Sequence, residues 1–275
     1  MVTLSALADE ISPDLKTQLD VLESEGIRHI ELRGVWNKNI LDLDDEELTF
    51  VKETLIHRKF RISSIATPIG KLGIKDDFGR HRALFERAIH VAKVFDTPCI
   101  RIFSFFIPAG ESPEDYREEV LERIRILVEK AGRAGVVLLH ENEKEIYGDT
   151  AKRCHDLLRS CRSPHLRAVL DPANFVQCGV QPLSEAYPLL RDHIEYVHIK
   201  DALFDEGRVV PAGQGDGEVK ELLKSLISNG YRGFLSLEPH LSSGGPFDGF
   251  SGPDLFRVAA RELKRLLEET STEWK

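Results

Sequence analysis

The chain has 275 residues, of which 41% are hydrophobic and 30% are charged, and its formal net charge is -9. This composition is typical of a soluble globular protein, and the length suits either two small domains or one large α/β barrel. The acidic balance argues against a nucleic-acid partner and against an anionic membrane surface, because both require a basic excess.

The N-terminal sequence and the cysteines indicate a cytoplasmic protein. The start, MVTLSALADEIS, lacks the basic-then-apolar pattern of a signal peptide. No apolar run approaches the ~20 residues that a membrane-spanning helix needs. Four cysteines lack metal-binding spacing and are expected to be free thiols in a reducing compartment: Cys99, Cys154, Cys161 and Cys178.

Strand-like apolar runs alternate with helical patterns along the whole chain. The predicted strands are 4–8, 27–34, 60–66, 98–105, 136–141, 166–171, 194–200 and 233–238. The predicted helices are 13–26, 44–59, 78–95, 112–132, 149–161, 183–192, 218–230 and 252–269. Ser12 is the expected N-cap of the first helix, and Asp149 or Thr150 is the expected N-cap of the fifth helix. Pro188 should shorten or bend the sixth helix.

Eight such units predict an α/β fold, a single (β/α)8 TIM barrel that spans residues 1–275 as one domain. The nearly continuous apolar strands are typical of a parallel sheet covered on both faces. A doubly wound sheet is the alternative, but no G-x-G-x-x-G follows the first strand. Two long connections, 66–80 and 239–252, follow strand C-terminal ends, where active-site loops lie, and each is either a functional lid or an ordered surface excursion.

The last four predicted strands each end on or carry a metal-binding side chain: Glu141, Asp171, His198 and Glu238. Neighbouring parallel strands bring such side chains to one end of a barrel. Two glutamates, an aspartate and a histidine can hold one divalent cation, with Mn²⁺, Mg²⁺ and Co²⁺ favoured and Zn²⁺ also possible. Paired carboxylates can also transfer protons. The pattern therefore predicts a metal-dependent enzyme that acts on a small oxygen-rich substrate.

Each of these residues has an ordinary structural alternative. Asp171 precedes Pro172 and could cap a helix. His198 could be a hydrogen-bonded core histidine, and Glu143 competes with Glu141. Glu238 is the most informative, because a glutamate in an apolar strand needs a partner or a metal.

The motifs HEN (140–142), DPANF (171–175), HIKD (198–201) and SLEPH (236–240) resemble the sugar phosphate isomerase/epimerase superfamily, which has the xylose-isomerase-like barrel. That group includes ketose 3-epimerases, inosose dehydratases and hydroxypyruvate isomerases. The resemblance implies that Glu141, Asp171, His198 and Glu238 bind the cation and that Glu141 and Glu238 form the proton-transfer pair.

The implied activity is isomerisation or epimerisation of a sugar, a sugar phosphate or a related hydroxy-ketone through a metal-stabilised enediolate. A lyase that dehydrates an inosose-type substrate at the same site is the alternative. A homo-oligomer is expected from the superfamily, although no interface can be located in the sequence.

Other residues near the motifs are candidates for substrate binding or support. Many relatives have a histidine where this chain has Asn174, which can bind a substrate hydroxyl but cannot carry a proton. His240 could supply that function or be an ordinary loop histidine, and Lys200 is a candidate contact for a substrate oxygen. Asp201 could orient His198 or Lys200, and Asn142 could support the pocket.

The earlier strands and one glycine-rich loop offer further candidates. Glu31 could bind a substrate hydroxyl or pair with an arginine, either Arg33 or Arg101. Arg101 itself needs an acidic partner or a ligand. Trp36 is either a sugar-stacking or a rim aromatic, and GQGDGE (213–218) is either a phosphate cradle or a tight loop.

Two further function classes are disfavoured. Abasic-site endonucleases share this barrel but bind three zinc ions with extra histidines, where this chain reads SSIA (63–66), RIFS (101–104) and Asn174. A non-catalytic sugar-binding protein would not need four intact ligands.

Overall fold

The computed structural model describes residues 1–242 and 249–275, and eight parallel strands within these ranges form a barrel. The strands, β1 to β8, are Thr3–Ala6, His29–Leu32, Arg61–Ala66, Cys99–Ile102, Val137–Glu141, Leu166–Leu170, Ile194–Ile199 and Phe234–Leu237. The α-helices, α1 to α9, are Leu15–Ser24, Asp45–His57, Phe78–Val94, Arg117–Ala134, Ala151–Cys161, Pro172–Gln177, Tyr187–Leu190, Val219–Ser228 and Gly252–Glu269.

Parallel pairing runs around the barrel in chain order. The ladder passes from β2 through β3 to β8 and then to β1. A parallel bridge between Leu7, which follows β1, and Glu31 of β2 brings the two edges together. The predicted α/β fold with a TIM barrel is confirmed.

Helix starts follow capping chemistry. Asp14 accepts a hydrogen bond from the Thr17 N–H, so α1 begins at Leu15, and the prediction of Ser12 as N-cap is wrong. Thr150, one of the two expected caps, accepts from the Arg153 N–H at the start of α5.

The sixth βα unit differs from its predicted single helix. A short helix, α6, follows β6 directly, and a π-helical turn, Pro182–Ala186, leads into the four-residue α7 that contains Pro188. Asp171 caps α6 through the Asn174 N–H, with Pro172 as its first residue. This Asp-Pro pair is the sequence signal for α6, because proline suits the first helical position.

The barrel interior changes from apolar to polar toward the C-terminal ends of the strands. Leu139, Val169 and Tyr196 form an apolar cluster separate from the main core. Glu141 and His198 lie two residues further along β5 and β7. Because residues two apart on a strand face the same side, these polar side chains point into the barrel above the apolar cluster.

The long connection 66–80 is held against neighbouring segments by its backbone. The Phe106 N–H donates to the Leu72 carbonyl, and the Ile74 N–H donates to the Phe106 carbonyl. Gly70, at φ +88°, lies so close to the Phe103 carbonyl that a Cβ would stand 2.1 Å from its oxygen. These contacts favour the ordered excursion over a lid.

The second long connection is described only in part, since 243–248 of 239–252 lie outside the described residues. Its described ends meet in an antiparallel bridge between Ser242 and Phe250. The four cysteines are free, as expected. Among the helices of the described ranges, none combines the length and apolar character required to span a membrane.

Candidate active site

The structure brings the four predicted metal-binding residues together at the C-terminal end of the barrel. One ligand atom from each of Glu141, Asp171, His198 and Glu238 lies within 4.8 Å of the others, and all four residues are buried. His198 Nδ1 is 3.1 Å from Glu141 Oε1, 3.1 Å from Glu238 Oε2 and 3.6 Å from Asp171 Oδ2. Glu143, the competitor of Glu141, instead lies 3.4 Å from Lys71 at the cavity rim.

The donor set fits a divalent cation. Glu141 Oε2 and Asp171 Oδ2 are buried and accept no hydrogen bond within the described part of the chain, although Arg101 Nε lies 3.2 Å from the first and Lys200 Nζ lies 2.9 Å from the second. Buried carboxylates pair with positive charge or coordinate metals. Three carboxylates and one imidazole are a suitable donor set for Mn²⁺, Mg²⁺, Co²⁺ or Zn²⁺.

The buried charges around the cluster also favour binding of a cation. Near the cluster, six buried acidic side chains face three buried lysine and arginine side chains; Asp201 and Arg123, the other buried members of these types in the described ranges, bind loop backbone instead. The acidic residues are Asp9, Glu10, Glu31, Glu141, Asp171 and Glu238, and the basic residues are Arg33, Arg101 and Lys200. This excess of negative charge favours additional positive charge at the centre of the cluster.

The pKa of His198 reflects this excess of negative charge. Burial lowers the pKa of His198, but the carboxylates of Glu31, Glu141 and Glu238 outweigh burial and raise it well above its ordinary value. The three carboxylates therefore favour positive charge at the His198 ring.

Glu31 lies behind His198 and not in the cavity. Its Oε2 is 3.1 Å from His198 Nε2 and accepts a hydrogen bond from Ser236 Oγ at 2.8 Å. The side chain is fully buried and is not among the residues that line the cavity, which favours the ion-pair alternative over the prediction that Glu31 binds a substrate hydroxyl. The alternative ion pair with Arg101 has a separation of 3.9 Å.

Lys200 bridges two of the candidate ligands. Its Nζ lies 2.9 Å from Asp171 Oδ2 and 3.0 Å from Glu238 Oε2. Burial lowers the pKa of Lys200, but these two carboxylates outweigh it and raise the pKa well above its ordinary value. The ammonium group is therefore a fixed positive charge that also lines the cavity.

Arg101 and Asn174 both line the cavity beside Glu141. Arg101 Nε is 3.2 Å from Glu141 Oε2, and Asn174 Nδ2 donates to Glu141 Oε1 at 3.2 Å. Asn142 supports the same region, because its side chain pairs with both the N–H and the carbonyl of Asp171.

Asp201 serves a loop and not the candidate ligands. Its carboxylate accepts backbone N–H groups from Gly213, Gly215 and Gly217, and also from Ala202. These hydrogen bonds do not favour the prediction that Asp201 orients His198 or Lys200. The phosphate-cradle hypothesis for 213–218 is wrong for the same reason, because those N–H groups already bind a carboxylate of the chain itself.

A network of charged residues that was not predicted from the sequence lies next to Glu238. Arg33 Nε donates to Asp9 Oδ2 at 2.7 Å, and Arg33 Nη1 lies 3.4 Å from Glu238 Oε1. Glu10 Oε2 accepts the His240 N–H, while Glu10 Oε1 lies 2.9 Å from His240 Nε2. Burial lowers the pKa of His240, but Glu10 outweighs it and raises the pKa to about 9.

This network has sequence signals that were not used. Asp9 and Glu10 follow the first strand and Arg33 follows the second, at the barrel end where function is expected. Glu10, Glu238 and His240 could also group around a metal ion. The Arg33 guanidinium, however, stands 3.9 Å from Glu10 and already supplies positive charge there.

The cavity above the cluster has a volume of about 530 Å³. Its lining includes the apolar side chains Pro68, Phe103 and Phe106 and the carboxylates of Glu141 and Glu238. A volume in this range suits a small-molecule ligand. Other lining residues include Arg33, Arg101, Asn174, Lys200 and His240.

Trp36 does not line this cavity. It packs against Phe50, with ring centroids 5.9 Å apart, and lines a separate surface cavity with residues of α1 and α2. The rim-aromatic interpretation is therefore favoured over sugar stacking.

Known proteins with similar sequences or structures share this architecture. The 3-dehydroshikimate dehydratase of Bacillus anthracis is 24% identical over 176 residues, which cover 64% of this chain and 62% of that protein. The crystal structure of the probable 3-DHS dehydratase AsbF from Bacillus anthracis has a TM-score of 0.75 and 21% identity, over 96% of this chain and 99% of that one. A D-tagatose 3-epimerase-like protein has a TM-score of 0.76 and 18% identity, over 98% of each chain.

At these identities the solved structures show likeness of fold alone. The family assignment comes from a family model described as xylose isomerase-like TIM barrel, which matches residues 19–269. This match confirms the resemblance drawn from the sequence motifs. Because it covers most of the sequence, the chain belongs to the xylose isomerase-like TIM-barrel family.

Proposed function

We propose that the chain is a divalent-metal-dependent isomerase or epimerase of a sugar, a sugar phosphate or a related hydroxy-ketone. Glu141, Asp171, His198 and Glu238 would hold one cation (Mn²⁺, Mg²⁺, Co²⁺ or Zn²⁺). The observation that carries the proposal is the placement of Glu141 and Glu238. Both line the cavity, and each has an oxygen 3.1 Å from His198 Nδ1, so two bases meet at one candidate metal position.

The mechanism divides proton transfer between these glutamates. When bound, the cation supplies Lewis acidity to a carbonyl and its neighbouring hydroxyl. Glu141 lies at the end of β5 and Glu238 directly after β8, and in the proposed mechanism the two carboxylates would act on opposite faces of the substrate carbon. One can remove the proton beside the carbonyl and the other can return it. If the proton returns to the opposite face of the same carbon, the product is an epimer. If the proton returns to the neighbouring carbon, the product is an aldose–ketose isomer.

The remaining cavity residues would bind and orient the substrate. Asn174 donates its amide to Glu141 and to the Asn142 carbonyl, which leaves its Oδ1 available to a substrate hydroxyl. Lys200 and Arg101 carry positive charge beside the two glutamates and would stabilise negative charge that develops on substrate oxygens. Phe103 and Phe106, which also line the cavity, would exclude water from the reacting carbon.

A dehydratase is the second candidate, favoured by the similarity to 3-dehydroshikimate dehydratase. Loss of a β-hydroxyl needs a proton donor for the departing oxygen as well as a base. His240 lines the cavity with Nε2 3.5 Å from Glu238 Oε1, so it lies where such a donor could act.

A deuterium experiment distinguishes the two candidates. The Mn²⁺-loaded protein is incubated in D₂O with a panel of ketoses and ketose phosphates that includes D-tagatose and, separately, with 3-dehydroshikimate, and products are followed by NMR. An isomerase or epimerase gives a rearranged product of unchanged composition with deuterium at the reacting carbon. A dehydratase gives a product that has lost water.

Two isosteric variants test the roles of the glutamates. We expect Glu141→Gln and Glu238→Gln each to lower kcat by about 10²- to 10⁴-fold, because each removes a general acid or base. Glu122→Gln, on the exposed face of α4, is the matched control and should retain wild-type activity. Wild-type kcat in both active-site variants would rule out the two-carboxylate mechanism.

A further inference from the structure

A buried carboxylate and a hydroxyl lie directly behind the histidine of the candidate metal cluster. We propose that Glu31 and Ser236 are positioning residues that fix the orientation and the protonated nitrogen of His198, and thereby set the affinity and coordination of the cation. This inference rests on the proposed metal site and identifies two residues that would determine its affinity for the cation. Neither residue touches the cavity.

The topology places the three side chains together from different parts of the barrel. Ser236 of β8 is in register with His198 of the neighbouring β7. Glu31 belongs to β2, which pairs with β3, so its side chain reaches His198 across the barrel interior. The Ser236 hydroxyl donates to Glu31 Oε2, the same oxygen that faces His198 Nε2.

The direction of the hydrogen bonds follows from donor and acceptor chemistry. An ionised glutamate only accepts, so Nε2 of His198 must carry the proton in the 3.1 Å contact with Glu31. With Nε2 fixed as the donor to Glu31, Nδ1 is the nitrogen that can exchange its proton for a cation beside Glu141, Asp171 and Glu238.

An unprotonated Nδ1 among three carboxylates suits a cation. Its lone pair and the carboxylate oxygens at 3.1 to 3.6 Å repel one another unless positive charge lies between them. A carboxylate behind a metal-binding histidine also increases the basicity of the ligand and fixes the ring.

A purely structural explanation fits Glu31 less well. Within the described residues, its hydrogen bonds go only to His198 and Ser236, and its Oε1 has none. Arg101 Nε is nearer to Glu141, at 3.2 Å, than to Glu31, at 3.9 Å. A buried charge with so few partners is unfavourable for folding alone, whereas it suits a residue that holds a metal ligand.

The barrel interior also supplies a matched control. The Ser63 hydroxyl is buried in the same interior, but its hydrogen bonds go to Ser5 Oγ at 2.7 Å and to the Tyr196 hydroxyl at 2.8 Å. Ser63→Ala therefore removes a buried interior hydroxyl without removing a hydrogen bond to Glu31 or His198.

The test measures Mn²⁺ affinity by isothermal titration calorimetry and the visible absorption spectrum of the Co²⁺-loaded protein, neither of which depends on activity. We expect Glu31→Gln to weaken Mn²⁺ binding by about 10- to 100-fold and to change the Co²⁺ spectrum. Ser236→Ala should weaken binding by roughly 3- to 10-fold, as for the loss of one hydrogen bond. Ser63→Ala should bind Mn²⁺ like the wild type.

Several outcomes would overturn the inference. Wild-type affinity and an unchanged Co²⁺ spectrum in both Glu31→Gln and Ser236→Ala would do so, as would an equal loss in Ser63→Ala. If circular dichroism shows that Glu31→Gln does not fold, the comparison of Ser236→Ala with Ser63→Ala decides. A wild-type protein that binds no Mn²⁺ contradicts the proposed metal site itself, whereas tight binding by wild type and both variants contradicts only the positioning role.

Discussion

Asp171 has two tasks, one for each carboxylate oxygen. Oδ1 accepts the Asn174 N–H at the start of α6, and Oδ2 faces His198 and Lys200. The two sequence interpretations of this residue, a helix cap and a metal ligand, are therefore compatible. A cap of this kind fixes the side-chain rotamer, so the oxygen that faces the cluster is held in place before any cation binds.

Lys200 leads to a prediction about stability in the absence of metal. Its ammonium lies between Asp171 and Glu238, and removing one partner of a buried ion pair leaves uncompensated charge. We expect Lys200→Met to lower the free energy of unfolding of the EDTA-treated protein by about 3–5 kcal/mol. Added Mn²⁺ should restore more stability in this variant than in the wild type, because the cation compensates the same carboxylates.

Urea unfolding with EDTA and with Mn²⁺ measures both effects. Lys224→Met, at an exposed position of α8, serves as the matched control and should follow the wild type. An equal Mn²⁺ increment in wild type and Lys200→Met would show that Lys200 and the cation do not act on the same charges.

At the scale of the element, the order and type of the strands could be predicted, while several side-chain roles could not. Apolar runs and helical periodicity determine the barrel, because burial of whole strands and helix faces dominates the energetics. The short α6 was missed because six residues carry little periodicity. Asp201 follows β7 and Glu31 belongs to β2, so both lie toward strand ends as the ligands do. Asp201, however, binds glycine N–H groups, and Glu31 lies behind His198. Strand position predicts which end of the barrel a residue occupies, but not its partner.

The connection 66–80 gives a pH-dependent prediction. The Gly70 N–H donates to His81 Nε2 at 2.6 Å, which requires a neutral ring. Burial and the charge of Arg123 lower the pKa of His81. A histidine whose pKa is lower in the folded than in the unfolded state stabilises the fold above the unfolded value of about 6.5, and this contribution is lost as the pH falls below it.

We therefore expect the wild type to lose more stability than His81→Gln between about pH 7.5 and pH 5. The glutamine can accept the same hydrogen bond without titrating. Urea unfolding at the two pH values gives the difference. Parallel losses in the two proteins would mean that the Gly70 contact contributes nothing pH-dependent.

At the scale of the whole molecule, the candidate ligands come from half of the barrel. Glu141, Asp171, His198 and Glu238 end or follow β5, β6, β7 and β8, and their neighbours Glu31 and Arg33 belong to or follow β2. Glu10 and Arg33 also hold the described ends of the second long connection, through His240 and Gly249. A cation at the cluster would thus connect segments that are up to about a hundred residues apart in the chain, between Glu141 and Glu238.

Global unfolding should therefore depend on metal concentration. The ligand set exists only when the four strands are assembled, so a cation binds the folded chain in preference to the unfolded one. We expect Mn²⁺ at about 100 times its Kd to add about 2.7 kcal/mol to the free energy of unfolding, and EDTA to remove this gain. This gain in the free energy of unfolding should disappear in His198→Gln. It should persist in His155→Gln, because His155 lies on α5 and is not part of the cluster. Thermal unfolding monitored by circular dichroism over a series of Mn²⁺ concentrations measures it. If the unfolding midpoint did not move with Mn²⁺, or moved equally in His198→Gln, the cation would not bind where these four strands meet.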